Sequence, residues 1–412
     1  MLIEFSVENF RSIKDKITFS MVGTKDSSLD GNLIKNALNG DSLLRTAVIY
    51  GANASGKTNV LLALHFLKEL VLNSHNHQKG QGIRFTPFKL DKKCLAKPTK
   101  MTVVFVKDKV KYSYSLSYDN EKVIEEHLYY YPNNKKALIF ERTNIADYKF
   151  TTDDKDQKAI SERTLANTLY LSKSTQENYK KTSDAFDWFR NDLQVFVATD
   201  EPELTQFTID QFKKDVELKK HIMKALLEAD VGIDDISATP KTISHEQVKN
   251  LPPELVKLFF GDKKELETDL VQTVHKGVLF DFQTEESEGT RRIFSLIGPW
   301  VDALKNGKTL VVDELDTKLH HLLNVFLIKL FHDPSQNKTN AQLIFTTHNT
   351  NLLDQDIFRR DQIWFTEKNA GNGSTDLYSL TEYGPRKDND IERGYLAGKY
   401  GALPFIKDNR IF

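Results

Sequence analysis

Residues 51–58 read Gly-Ala-Asn-Ala-Ser-Gly-Lys-Thr and satisfy the pattern G-x-x-x-x-G-K-[ST] at every specified position. Glycines let successive backbone N–H groups turn inward around phosphate oxygens, and the N-terminus of a following helix favours negative charge. Asn53, Ala54, Ser55 and Gly56 would form the cradle. Lys57 would reach the β- and γ-phosphates, and the Thr58 hydroxyl would bind Mg²⁺. The chemistry is that of ATP with Mg²⁺.

A second cluster follows an apolar run, Leu310-Val311-Val312-Asp313-Glu314. Asp313 would hold the Mg²⁺ shell through water, and Glu314 would polarise an attacking water as general base. Taken alone, two acids after a strand serve equally well as a helix cap. Thr346-Thr347-His348 ends another apolar run and would bring His348 to the same sheet edge, within reach of the γ-phosphate.

These residues need strands to deliver them. Residues 46–50, 308–313 and 342–347 are short, apolar and rich in β-branched residues, as buried parallel strands require. Residues 59–72 place Val60, Leu61, Leu64, Leu67, Leu70 and Val71 at helical spacing, and 317–332 predicts a second helix. Residues 2–7 alternate as a half-buried strand, and 17–22 form another strand-like run. The stretch 370–374 reads as the turn of a hairpin between 363–367 and 376–380.

The expected fold is α/β, with the nucleotide core split between the two ends of the chain. Residues 1–99 carry the first part, 100–150 an inserted antiparallel meander, 151–270 a helical subdomain and 271–412 the second part. In the helical region Phe186, Phe189 and Leu193 share one face. Pro202, Pro240, Pro252 and Pro253 leave no room for a long coiled coil.

Lysine and arginine number 57 against 58 acidic residues, so no global basic field draws in nucleic acid, though a local groove could. The single cysteine, Cys94, excludes an internal disulfide and fits a reducing compartment. Neither a leader pattern nor a membrane-length apolar stretch occurs, so a cytoplasmic location without membrane contact is expected.

The order of motifs resembles the ABC class of P-loop ATPases, with Ser287-Glu288-Gly289-Thr290 as a variant signature, Leu315-Asp316 as the D-loop and His348 as the switch histidine. Glu288 stands where that class commonly has a glycine, and helix capping is the plainer role for Ser287. The resemblance implies a homodimer or higher homo-oligomer in which Ser287 and Gly289 act in trans on the partner's nucleotide. No Q-loop residue is assigned; Gln78 and Gln81 end no clear strand. Phe5-x-Val7-x-Asn9-Phe10-Arg11-Ser12 resembles the opening of SMC- and RecF-like ATPases, which implies a nucleotide contact for Arg11. Arg291 and Arg292 would stabilise phosphate charge or a dimer contact, or simply face water.

With the tail Tyr395-Leu396-Ala397-Gly398-Lys399-Tyr400-Gly401, the chain resembles the ABC-type AAA ATPases of prokaryotic defence operons. RloA-like and AbiL ATPases and the ATPase of PARIS are among them. The related OLD nucleases carry a Toprim domain behind this core, but the residues after His348 are too few for one. The resemblance therefore implies an ATPase sensor or scaffold controlling a separate effector in anti-phage defence, such as a Toprim-type nuclease. The alternative is a RecF- or SMC-like DNA-binding ATPase of DNA maintenance.

Overall fold

The computed structural model describes residues 1–38, 40–197, 201–229, 232–248, 252–261, 263–386 and 389–404, and counts of elements refer to these. The chain divides into two compact units, 1–198 with 303–317 and 324–412, and 199–302 with 318–323.

In the first unit the alternating opening forms β1 (Leu2–Glu8), paired antiparallel with β2 (Ile17–Ser20). A ribbon of β3 (Leu33–Leu38) and β4 (Asp41–Leu44) leads into β5 (Thr46–Tyr50), whose residues are all buried. α1 (Lys57–Asn73) follows the glycine loop and buries Val60, Leu61, Leu64, Leu67, Leu70 and Val71. The meander consists of β6 (Thr99–Lys107), β7 (Val110–Tyr118), β8 (Val123–Tyr130), β9 (Ala137–Arg142) and β10 (Tyr148–Phe150).

This meander is not a separate insertion over 100–150. β6 pairs with β1, and one seven-stranded sheet runs β10-β9-β8-β7-β6-β1-β2. Without β6, that edge of β1 would present unpaired N–H and C=O groups. Side-chain alternation reports which face is buried but not which strand lies alongside, so the sequence pattern did not reveal the join. Deep in this sheet Glu126 and Arg142 are fully buried, 3.9 Å apart. Glu126 also accepts from the Tyr114 hydroxyl at 2.9 Å and from the backbone N–H groups of Tyr170 and Leu171 at 2.6 and 2.9 Å. Those N–H groups begin α3 (Tyr170–Gln176), which lies between α2 (Asp154–Glu162) and α4 (Lys180–Asp187) in the chain.

β11 (Leu193–Phe196) is a second departure from expectation. The spacing that groups Leu193 with Phe186 and Phe189 on a helix face does not hold: Leu193 opens a strand that pairs parallel with β15 (Thr309–Val312). Spacings of three and four residues do not mark where a helix stops, and only the partner strand identifies this short run as β.

The parallel sheet runs β11-β15-β16-β5-β17-β18, with β16 (Gln342–Thr346), β17 (Ile363–Lys368) and β18 (Thr375–Ser379). Only β18 is antiparallel to its neighbour. α9 (His321–His332) falls between β15 and β16 in sequence, and α10 (Ile391–Leu396) follows β18. A single hydrophobic core joins Phe5, Val7, Met101 and Val103 of the antiparallel sheet, Leu61 and Leu64 of α1, and Ile49, Val311 and Ile344 of the parallel sheet.

The second unit contains α5 (Glu201–Lys214), α6 (Val216–Glu228) and α7 (Pro253–Phe260), as a helical subdomain would. It also holds a sheet, β12 (Asp235–Ser244), β13 (Glu265–His275) and β14 (Val278–Asp281), in that order. The expectation of a helical subdomain over 151–270 is corrected here, because part of that span is sheet. Pro240, read as a helix breaker, sits opposite Asp269 in an edge strand, where a missing N–H is tolerated. α8 (Glu288–Asn306) begins just after Ser287.

Candidate functional site

β15, β16 and β5 are adjacent and parallel, so their C-terminal ends share one edge of the sheet. Asp313 follows β15, Thr347 and His348 follow β16, and Gly51 follows β5. A buried parallel sheet thereby gathers three distant sequence motifs at the edge where α/β folds place their ligands. A cleft of about 600 Å³ opens there, lined by Asn53, Ala54, Gly56, Lys57, Thr58, Asn59, Glu314, His348 and Lys368.

Lys57 is 6% exposed, and its ammonium donates to the carbonyls of Gly51 at 2.8 Å and Ala52 at 3.3 Å. Burial lowers its pKa, while the carboxylates of Asp313, Glu314 and Asp316 act in the opposite sense. Asn53 and Ala54 are exposed at the tip of the loop, Ser55 is buried, and Thr58 lies in the first turn of α1. Ala54 has φ 63° and Glu314 has φ 49°, left-handed conformations that side-chain-bearing residues seldom adopt. Such strain persists only where surrounding structure imposes it.

At Glu314 the constraint is visible, because its backbone N–H donates to the Thr346 hydroxyl at 2.7 Å. The same hydroxyl donates to Asp313 Oδ1. Asp313 is 2% exposed, and its Oδ2 is buried without a hydrogen-bond partner. A buried carboxylate oxygen left unpaired is unfavourable, and a hard divalent cation takes such oxygen ligands. Asp313 therefore suits Mg²⁺, with the Thr58 hydroxyl lining the adjacent cleft as a second oxygen donor. His348 is exposed, and its backbone N–H lies 3.3 Å from both carboxylate oxygens of Asp316. Desolvation and the Lys57 charge push its imidazole below the usual histidine range, against the pull of the acids at 313, 314 and 316.

The sequence matches the family described as "AAA domain, putative AbiEii toxin, Type IV TA system" over residues 47–354, a span that includes every motif at this edge. The chain belongs to this AAA domain family. It is an AAA-domain protein of the P-loop ATPase type. Among solved structures it is similar to the SMC head domain from Thermotoga maritima, with 13% identity, a TM-score of 0.41, and 92% of this chain and 98% of that one covered. It is also similar to an Smc head bound to the C-winged helix domain of ScpA, with 12% identity, a TM-score of 0.44, and 92% and 97% covered. A likeness this distant says nothing of activity. A comparison with curated proteins finds no match.

Three supports of the AAA-domain site, Thr366, Thr375 and Asn59, carry no sequence signal. The β17–β18 hairpin backs the glycine loop: Thr366 Oγ1 lies 2.7 Å from Ser55 Oγ, and Thr375 Oγ1 donates to the Ser55 carbonyl at 2.8 Å. Gly56 has φ +113°, and a Cβ there would stand 2.1 Å from Thr375 Oγ1. Arg11, φ 49°, reaches Asn59 Oδ1 at 3.4 Å, one residue beyond Thr58. Asn59 in turn donates to Ser12 Oγ at 2.7 Å, and Ser12 Oγ lies 2.8 Å from Thr375 Oγ1. Single threonines and asparagines separated by hundreds of residues make no motif. Gln78 and Gln81 lie in a loop whose carbonyls accept from Asn167 at 2.8 Å.

Ser287 and Gly289 belong to the second unit. Ser287 Oγ accepts from the Thr290 N–H at 3.0 Å, so this serine caps α8. The preceding Glu286 meets His275 Nε2 at 2.6 Å and accepts from the Thr273 hydroxyl. Arg291 donates to the Gln283 carbonyl, and Arg292 is buried.

Proposed function

We propose that the protein binds ATP with Mg²⁺ on residues 53–58 and hydrolyses it slowly. In this scheme Lys57 holds the β- and γ-phosphates, and Thr58 and Asp313 hold the metal. Glu314 orients and deprotonates the attacking water, and His348 contacts the γ-phosphate. The observation that carries the proposal is the convergence of Lys57, Glu314 and His348 on one cleft beside the unpaired Asp313 oxygen. Bound metal would lower the pKa of water and neutralise developing phosphate charge.

In the same proposal a second copy of the chain completes each site, with Ser287 and Gly289 acting in trans and Arg11 assisting in cis. The ATP-closed dimer or larger homo-oligomer then signals to a separate effector in anti-phage defence. The family's description, a toxin of a Type IV toxin–antitoxin system, supports a defence setting. Among the described residues no helix is long and apolar enough to cross a membrane.

The test is the mass by light scattering of wild type and Glu314→Gln, with and without Mg-ATP, alongside phosphate release. Association on ATP, with slow release by wild type alone, is the expected outcome; an unchanged monomer would refute the trans site. Loss of phage resistance in Lys57→Ala cells would support the defence role. Intact resistance, together with ATP-stimulated and salt-dependent duplex DNA binding, would favour DNA maintenance instead.

A further inference from the structure

Three clefts of the first unit meet at one side chain. Lys368 lines the cleft of about 600 Å³ beside Gly56, Lys57 and Thr58. It also lines one of about 370 Å³ beside Arg11 and Phe88, and one of about 740 Å³ beside Gly51 and Tyr395. It ends β17, two residues after Thr366. Residues two apart on a strand share a face, so Lys368 follows the residue whose hydroxyl meets Ser55.

Its cross-strand partner is Thr375, the residue packed against Gly56. The base of Lys368 is thus one strand pairing away from the glycine loop, on a hairpin that hydrogen bonds hold against that loop. The ammonium is exposed and donates to the Gly373 carbonyl at 2.9 Å, within its own turn. Such an exposed bond is readily exchanged for a stronger one to an anion.

We propose that Lys368 is a second phosphate-binding cation, which reaches the bound nucleotide's polyphosphate from the β17–β18 hairpin, across the cleft from Lys57. This rests on the nucleotide-binding function proposed for residues 53–58. Phosphate would thus be gripped by a buried lysine at the loop and an exposed one on the hairpin. Its one bond, to the Gly373 carbonyl, leaves the ammonium two further N–H donors for phosphate oxygens.

The experiment is equilibrium binding of ATP, ADP and adenosine, with Mg²⁺, to the full-length wild type and to Lys57→Ala, Lys368→Ala and Lys368→Arg. A charged contact to phosphate predicts that Lys368→Ala weakens ATP about 10-fold and ADP less. Adenosine binding should stay as in wild type, and Lys368→Arg should restore most of the loss. An unchanged ATP affinity in Lys368→Ala would overturn the proposal. So would an equal loss for adenosine, which would make Lys368 a strut of its hairpin. If Lys57→Ala bound ATP as wild type does, the glycine-loop function would itself fail, an outcome distinct from failure at Lys368 alone.

Discussion

The glycine loop and the segment around Ser287 are both polar, yet they are held in opposite ways. Behind the loop stand β5, β15 and β16, without an exposed residue among them, and a hairpin packed so closely that Gly56 cannot accept a methyl group. Around Ser287 the restraints are a helix cap, an ion pair between Glu286 and His275, and an arginine on a backbone carbonyl. Buried packing tolerates little displacement, whereas exposed hydrogen bonds each contribute about 1 kcal/mol and exchange readily with water. A pre-formed phosphate cradle suits the first kind of support. The second kind of support suits the trans contact proposed for Ser287.

Substitutions in the cradle should have the largest effects. Lys57→Ala should weaken ATP binding by about 100-fold, measured by equilibrium titration. Glu314→Gln should keep that affinity while phosphate release falls by roughly 10²–10⁴. An equal loss of binding in both would dissolve the distinction between holding phosphate and activating water.

Gly56→Ala comes next, since it combines a forbidden contact with a positive φ. It should cost about 2–4 kcal/mol, read as a fall in denaturation midpoint. If the midpoint holds, the loop is less rigid than its packing implies.

Ser287→Ala should cost only about 1 kcal/mol as a lost cap. A larger fall in ATP turnover at unchanged ATP affinity would show that the serine does more than cap α8.

The smallest effect is a pH dependence. Contact with Glu286 raises the His275 pKa, with the Gly232 carbonyl and Asp234 acting in the same sense and desolvation opposing them. The imidazolium therefore stabilises the fold fully below the unfolded value of about 6.5, and that contribution is lost as pH rises through the higher folded value. The difference should be below about 1 kcal/mol, because the His275 ring keeps partial contact with water although Glu286 is buried. It should be absent from His275→Gln when midpoints at pH 6 and pH 8 are compared.

The contrast also explains what could be read in advance. The glycine loop is contiguous, its strands are short apolar runs, and each motif abuts the strand that delivers it, so the gathering of Lys57, Asp313, Glu314 and His348 at one sheet edge is legible from local pattern. The joining of β6 to β1, the strand at Leu193, and the sheet formed by β12, β13 and β14 were not. Each depends on a partner far away in the chain.

By itself the sequence determined the glycine loop, the buried strands and the helix after it, because nearest-neighbour chemistry and side-chain periodicity suffice for those. Only the tertiary structure decided that Thr366 and Thr375 brace the loop, that Asp313 keeps an unpaired oxygen at its edge, and that Lys368 borders all three clefts. Those relations arise from strand register and close packing, which join residues by distance in space and leave no periodic trace along the chain.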